Sequence, residues 1–158
     1  NPALAYDRHW NLVSANRMVM PLLQGIPARL LGQPLNIMRL ALHPEALAAR
    51  TVNLAEWCSH LLERLHRQCE ATADPELIKL YQELKAYPIP ARSAPLPADS
   101  VAIPFKMRFG DEVLSFMSTT MIFGTPVDVT LSELALETFF PADDLTAERM
   151  RAIAADIK

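Results

Sequence analysis

Apolar and polar side chains alternate most regularly over residues 102–109. Ile103, Phe105, Met107 and Phe109 take the odd positions, with Lys106 and Arg108 between them. A period of two gathers the apolar set on one face of a strand and the charged set on the other. Phe109, Gly110, Asp111 and Glu112 then predict a tight turn. Residues 113–123 carry β-branched and aromatic side chains at both parities: Leu114, Phe116, Thr120 and Ile122 against Met117, Thr119, Met121 and Phe123. That predicts a central strand covered on both sides. Gly124, Thr125 and Pro126 break the run. A third strand is expected over residues 133–140, ending at Pro141, with Leu134 and Leu136 on one side and Glu133 and Glu137 on the other. Ahead of these, residues 4–7 and 11–15 predict two short strands joined through Arg8, His9 and Trp10, which extends the sheet to five.

Between the two strand groups the period changes to that of helices. Asn16 is a candidate cap for a short stripe of Met18, Val19, Leu22 and Leu23 that Pro21 kinks and Gly25 stops. Asn36 precedes Ile37, Leu40 and Ala41, and His43-Pro44 closes that turn. Asn53, with Glu56 three residues on, opens the longest stripe: Leu54, Trp57, Cys58, Leu61, Leu62, Leu65 and Cys69, to about residue 70. Asp74-Pro75 opens another, with Leu77, Leu80, Tyr81 and Leu84 inward, ending before Pro88. Residues 87–99 hold four prolines and predict an extended linker into the sheet, and Thr146 is a candidate cap for a last helix to Lys158. The fold class is therefore α+β: an antiparallel sheet of about five strands with helices over one face, and Phe105, Met107, Phe116 and Leu136 buried under the helices carrying Trp57 and Leu80.

The chain has 158 residues, 51% of them hydrophobic, enough for one domain with a full core. A net charge of −3 with no basic stripe gives no footprint for binding nucleic acid. No apolar run reaches the roughly 18 residues of a membrane span and no signal peptide opens the chain, so a soluble, cytoplasmic protein is expected. Cys58 and Cys69 lie eleven residues apart on one predicted helix, about 16 Å along its axis, and are expected reduced. The start at Asn1-Pro2-Ala3, without Met, points to a piece of a longer chain.

Several stretches in order carry a resemblance. PALAYDRHWNLVSAN, NIMRLALHP, NLAEW, DPELIKLYQEL and FGTPVDVTLSELALETFFPADDLT resemble the ligand-binding domain of MmyB-like transcription regulators. The resemblance spans nearly the whole chain and implies one PAS-like domain over residues 1–158. It further implies that such a domain follows a Cro/CI-type helix-turn-helix, absent here, through which DNA is bound, and that it takes a small apolar ligand, with a fatty acid as the best candidate. Residues 87–91 depart from the Trp and His expected after the second long helix.

Chemical motifs are sparse. Four glycines form neither a phosphate-cradling loop nor a Gly-x-Ser-x-Gly elbow. His66 and Cys69, three apart, fall two ligands short of a metal site, and Glu56 with His60 reads as a solvated helical pair. No catalytic residue, metal or cofactor is expected. The apolar excess is more telling, because Met18, Met38, Met107, Met117 and Met121 fall in elements expected to face inward, and methionine suits a cavity that adapts to an alkyl chain. The candidate ligand residues are Met18 and Leu22, then Met38, Arg39 and Leu42, then Trp57 and Leu61, and in the sheet Phe105, Met107, Phe116, Met121 and Phe123. Arg39 is the candidate donor to a carboxylate head group. The expected function is ligand sensing for a transcription regulator, with possible homodimerisation. The alternatives are a ligand-free dimerisation or interaction module and, third, a small enzyme.

Overall fold

The period-two segments become a five-stranded sheet in the computed structural model, which describes residues 1–90, 102–123 and 134–157. The strands are β1 (Ala3–Asp7), β2 (Leu12–Ala15), β3 (Phe105–Phe109), β4 (Glu112–Phe123) and β5 (Leu134–Pro141). The α-helices are α1 (Ile37–Leu42), α2 (Leu54–Thr72), α3 (Pro75–Lys85) and α4 (Asp144–Asp156), with 3-10 turns at Met20–Leu23, Ala28–Leu30 and Leu47–Arg50. The class is α+β, as the alternation predicted. The break at Gly124, Thr125 and Pro126 and most of the proline-rich linker lie outside the described residues.

All pairings are antiparallel, in the order β2-β1-β5-β4-β3. The central strand is thus β5, not β4, because the N-terminal hairpin docks on β5 and leaves β3 at the far edge. Between β3 and β4 the turn needs a left-handed residue, and Gly110 supplies it with φ +59°. Register fixes the faces. Phe105 pairs with Phe116 and Met107 with Leu114; Thr120 pairs with Glu137, which in turn pairs with Leu4. These side chains share the inner face. Val113, Met121 and Leu136 fall on the opposite parity, and β4 is not covered on both sides: Val113 is 40% and Met121 59% exposed. Glu137 and Leu136 exchange the roles that polarity alone assigns, since the carboxylate is buried inside while Leu136 is only half-buried outside.

Over the inner face lie α2 and α3, packed on each other. Their stripes, Trp57, Cys58, Leu61, Leu65 and Cys69 on α2 and Leu77, Leu80 and Leu84 on α3, join Phe105, Met107, Leu114 and Phe116 in one core. The two thiols are free. A smaller core joins Val19, Leu23, Ile26 and Leu35, ahead of α1, to Leu40 on α1 and Ala46 beyond it. Over residues 16–25 the regular element is a 3-10 turn at Met20–Leu23 rather than an α-helix: Pro21 sits at its start, and the Asn16 side chain is taken up by Ala3 N (3.1 Å) and Asn1 O (2.8 Å) instead of capping. Asn36 does cap α1, and Asp74 with Pro75 opens α3. Asn53 does not cap α2, because its amide bonds to Pro104 O and Lys106 N beside β3. The cap of α4 is Asp143, whose carboxylate accepts from Thr146 N, while the buried Thr146 hydroxyl accepts from Ser115 N at 2.9 Å.

Candidate ligand site

Between the inner face of the sheet and the helices is a cavity of about 100 Å3. The sheet contributes Leu4, Leu12, Phe105, Met107, Phe116 and Phe139; Ile37, Met38, Leu40 and Ala41 come from α1, and Trp57 and Leu61 from α2. Pro2, Val19, Leu22, Leu23 and Leu47 complete the hydrocarbon wall, and Trp10 and Glu137 stand at its polar corner. The rings are locked to one another: Phe105 lies 5.1 Å from Trp57, 6.4 Å from Phe116 and 6.3 Å from Phe139 between centroids. Met38 and Met107 are 1% and 0% exposed and are the flexible members of the wall.

The polar corner is built from three elements. Trp10, in the turn between β1 and β2, has φ +68°, a strained position for a bulky residue. It is held there from several sides: stacked on Tyr6 at 4.9 Å, donating through Nε1 to Gln68 Oε1 at 2.7 Å, and capped by the Arg64 guanidinium 4.9 Å from its centroid. Arg64 also donates to the Tyr6 hydroxyl (3.1 Å), to Thr120 (3.3 Å) and to Glu137 Oε1 (3.4 Å). Burial, reinforced by the Glu137 charge, pushes the Tyr6 phenol up to about 12, so it stays protonated at neutral pH. Outside this corner Tyr6, Trp10 and Arg64 also line a surface cleft with Arg8, Arg67 and Gln68. Trp10 therefore separates the apolar cavity from a basic, solvent-facing depression.

Of the residues singled out from sequence, Leu22, Met38, Trp57, Leu61, Phe105, Met107 and Phe116 come together around this cavity. Leu42 is buried in the same core without lining the cavity, and Met18 packs at its periphery in a shallow depression beside α4. Arg39 points away. Its guanidinium makes a two-pronged pair with Glu83, 2.8 Å on each arm, at a half-exposed site on α3. Met121 is on the outer face of β4, and the side chain of Phe123 lies outside the described ones. Sequence reasoning missed Trp10, Phe139 and Glu137. The first sits in a turn and the last alternates with leucines, so neither carried an inward signal. Tyr87, where the chain departs from the family pattern, packs edge-on against His43 at 5.5 Å and bonds Glu83, away from the cavity.

Burial pushes the Cys58 thiol up to about 11 and raises Cys69 too, so neither is a thiolate near neutrality. His60 stacks on Trp57 at 5.4 Å, and its pKa is lowered by burial and by Arg64. Among the described residues no three His, Cys, Asp or Glu are grouped to hold a metal, and no helix is long and apolar enough to cross a membrane. No curated protein matches the chain significantly. One family model does, over residues 1–153: the MmyB-like transcription regulator ligand binding domain.

Proposed function

The chain belongs to the family of MmyB-like transcription regulator ligand-binding domains, and from that premise we propose that it senses a small apolar molecule, such as a fatty acid, in the cavity between sheet and helices. The family is one of ligand-binding regulator domains and not of enzymes. The observation that carries the proposal is a hydrocarbon-lined space in the middle of an otherwise well-packed core, with two buried methionines in its wall. Cores rarely keep such voids, because unfilled space forfeits contacts. At about 100 Å3 the cavity is smaller than the roughly 150 Å3 that accepts a benzene ring, so a long chain enters only as Met38 and Met107 swing aside. That rearrangement is the signal. A ligand that binds the opened packing better shifts the population towards it, and the shift is passed to the DNA-binding part of the regulator.

A second reading rests on a different surface. The outer face of the sheet exposes Val113, Met121 and Phe140, as a dimerisation module with a filled core would. The two readings separate in a titration, because both tryptophans of the chain, Trp10 and Trp57, line the cavity. Adding dodecanoate or 1-dodecanol is expected to change tryptophan emission saturably at micromolar concentration. Emission that stays constant to the solubility limit of both leaves the interaction module standing.

A further inference from the structure

Trp10 divides two spaces, and the surface cleft is the larger, about 330 Å3 against about 100 Å3 for the cavity. The charge of the cleft is one-sided. Arg64, Arg67 and Gln68 line it from α2, where spacings of three and four put them on one face. Arg8 joins them from the β1–β2 turn, whose backbone Gln68 holds by donating to Arg8 O at 2.8 Å. The acid in the lining is Asp7, and its carboxylate already accepts from His9 N, Asn11 N and Asn11 Nδ2 at 2.9, 2.9 and 3.1 Å. Among the described residues Arg8 has no ion pair, and Arg67 pairs with its helical neighbour Glu63 at an exposed site where such a pair adds little. Their charges are open to an anion.

We infer that cleft and cavity are the two ends of one site: an anion-headed amphiphile sets its carboxylate among Arg8, Arg64 and Arg67 and its hydrocarbon body past Trp10 in the cavity. The inference rests on the ligand-binding reading above and adds to it the seat of the head group and the way in. A carboxylate offers acceptors only and a guanidinium donors only, so the head pairs in the cleft and finds no partner along the hydrocarbon wall. Arg39, the arginine to which the sequence points, is occupied by Glu83. Trp10 is the partition. Its ring is held by the bond to Gln68, the stack on Tyr6 and the Arg64 guanidinium, in a turn strained at φ +68°. A carboxylate on Arg64 draws on the same guanidinium that caps the ring, which couples head-group binding to movement of the partition. Gln68, bonded both to the indole and to Arg8 O, is its latch.

Octanoate and 1-octanol, of equal chain length, are titrated at pH 7 with tryptophan emission as readout. The proteins are wild type and Arg8→Gln/Arg67→Gln, whose changes lie at exposed positions. Octanoate is expected to weaken in the double variant on the order of tenfold, the size of one hydrogen bond to a charged group, while 1-octanol keeps its affinity. In Gln68→Ala, which frees the latch, stopped-flow mixing is expected to show both compounds associating faster than with wild type. Equal octanoate affinity in wild type and double variant overturns the inference, as does an unchanged association rate in Gln68→Ala, and either leaves the cavity standing as a ligand site. Inorganic phosphate bound as tightly as octanoate also overturns it, by making the cleft a site for a free anion. If neither octanoate nor 1-octanol binds the wild type, the ligand-binding reading falls with the inference.

Discussion

Asn36 ties three parts of the chain together with one side chain. Its Oδ1 accepts from Met38 N at 3.1 Å and Arg39 N at 3.2 Å, which caps α1, and its Nδ2 donates to His9 O at 2.9 Å. The neighbouring Ile37 N donates to Trp10 O at 2.8 Å. The cap thus also holds the strained turn that places Trp10 at the cavity. Asn36 is 5% exposed, so removing its amide strands a carbonyl and two helical N–H groups away from water. A lost cap costs about 0.5–2 kcal/mol and an unsatisfied buried group about 1–3. Asn36→Ala is therefore expected to destabilise by roughly 2–3 kcal/mol in denaturant unfolding, and Asn36→Asp, which keeps the cap and loses the donor, by less. A loss under about 0.5 kcal/mol for the alanine would show the turn to be held by other contacts. The sequence placed Asn36 just ahead of the helical stripe, but the tie to the Trp10 turn was not legible, because it joins residues 27 apart.

At the scale of elements, legibility followed whether the local pattern agreed with the tertiary one. In β3 the wet face carries Lys106 and Arg108, so alternation pointed to the correct side. In β5 the inner position holds Glu137 and the outer ones hold Leu134 and Leu136, so polarity pointed to the wrong side. Asp74-Pro75 read correctly as the start of α3 because that cap is entirely local. Asn53 and Thr146 misled, since each is drawn into a bond with the sheet. The face assignment of β3 and β4 has a direct consequence. Met107 is fully buried at the cavity and Met121 is 59% exposed on the outer face. Met107→Ala is expected to cost about 2–5 kcal/mol and Met121→Ala no more than about 0.5, by chemical denaturation. Similar costs would mean that both methionines are inside.

For the whole molecule, the N-terminal hairpin docks on β5, and α1, α2 and α3 between the two strand groups pack into the core on the inner face. That order of elements, together with the family resemblance, led to the expectation of a pocket between sheet and helices, where the structure has a cavity of about 100 Å3. Its apolar wall was readable from Leu22, Met38, Trp57, Leu61, Phe105, Met107 and Phe116, because helix stripes and strand alternation both select inward residues. Its polar corner was not. Arg64 belongs to the polar face of α2 by sequence, and only the fold brings it against Glu137, 73 positions away.

The central claim, that the cavity holds a small apolar ligand, is tested most directly at Met107. Wild type and Met107→Trp are purified side by side, each is extracted into organic solvent for mass spectrometry, and the melting temperature of each is recorded. The account predicts an alkyl or acyl compound in the wild-type extract and none in the variant, whose ring occupies the cavity, with a ligand-free melting temperature level with or above that of the ligand-free wild type. A wild-type extract free of any such compound, with Met107→Trp destabilised by about 1–3 kcal/mol as an overpacked core would be, contradicts it.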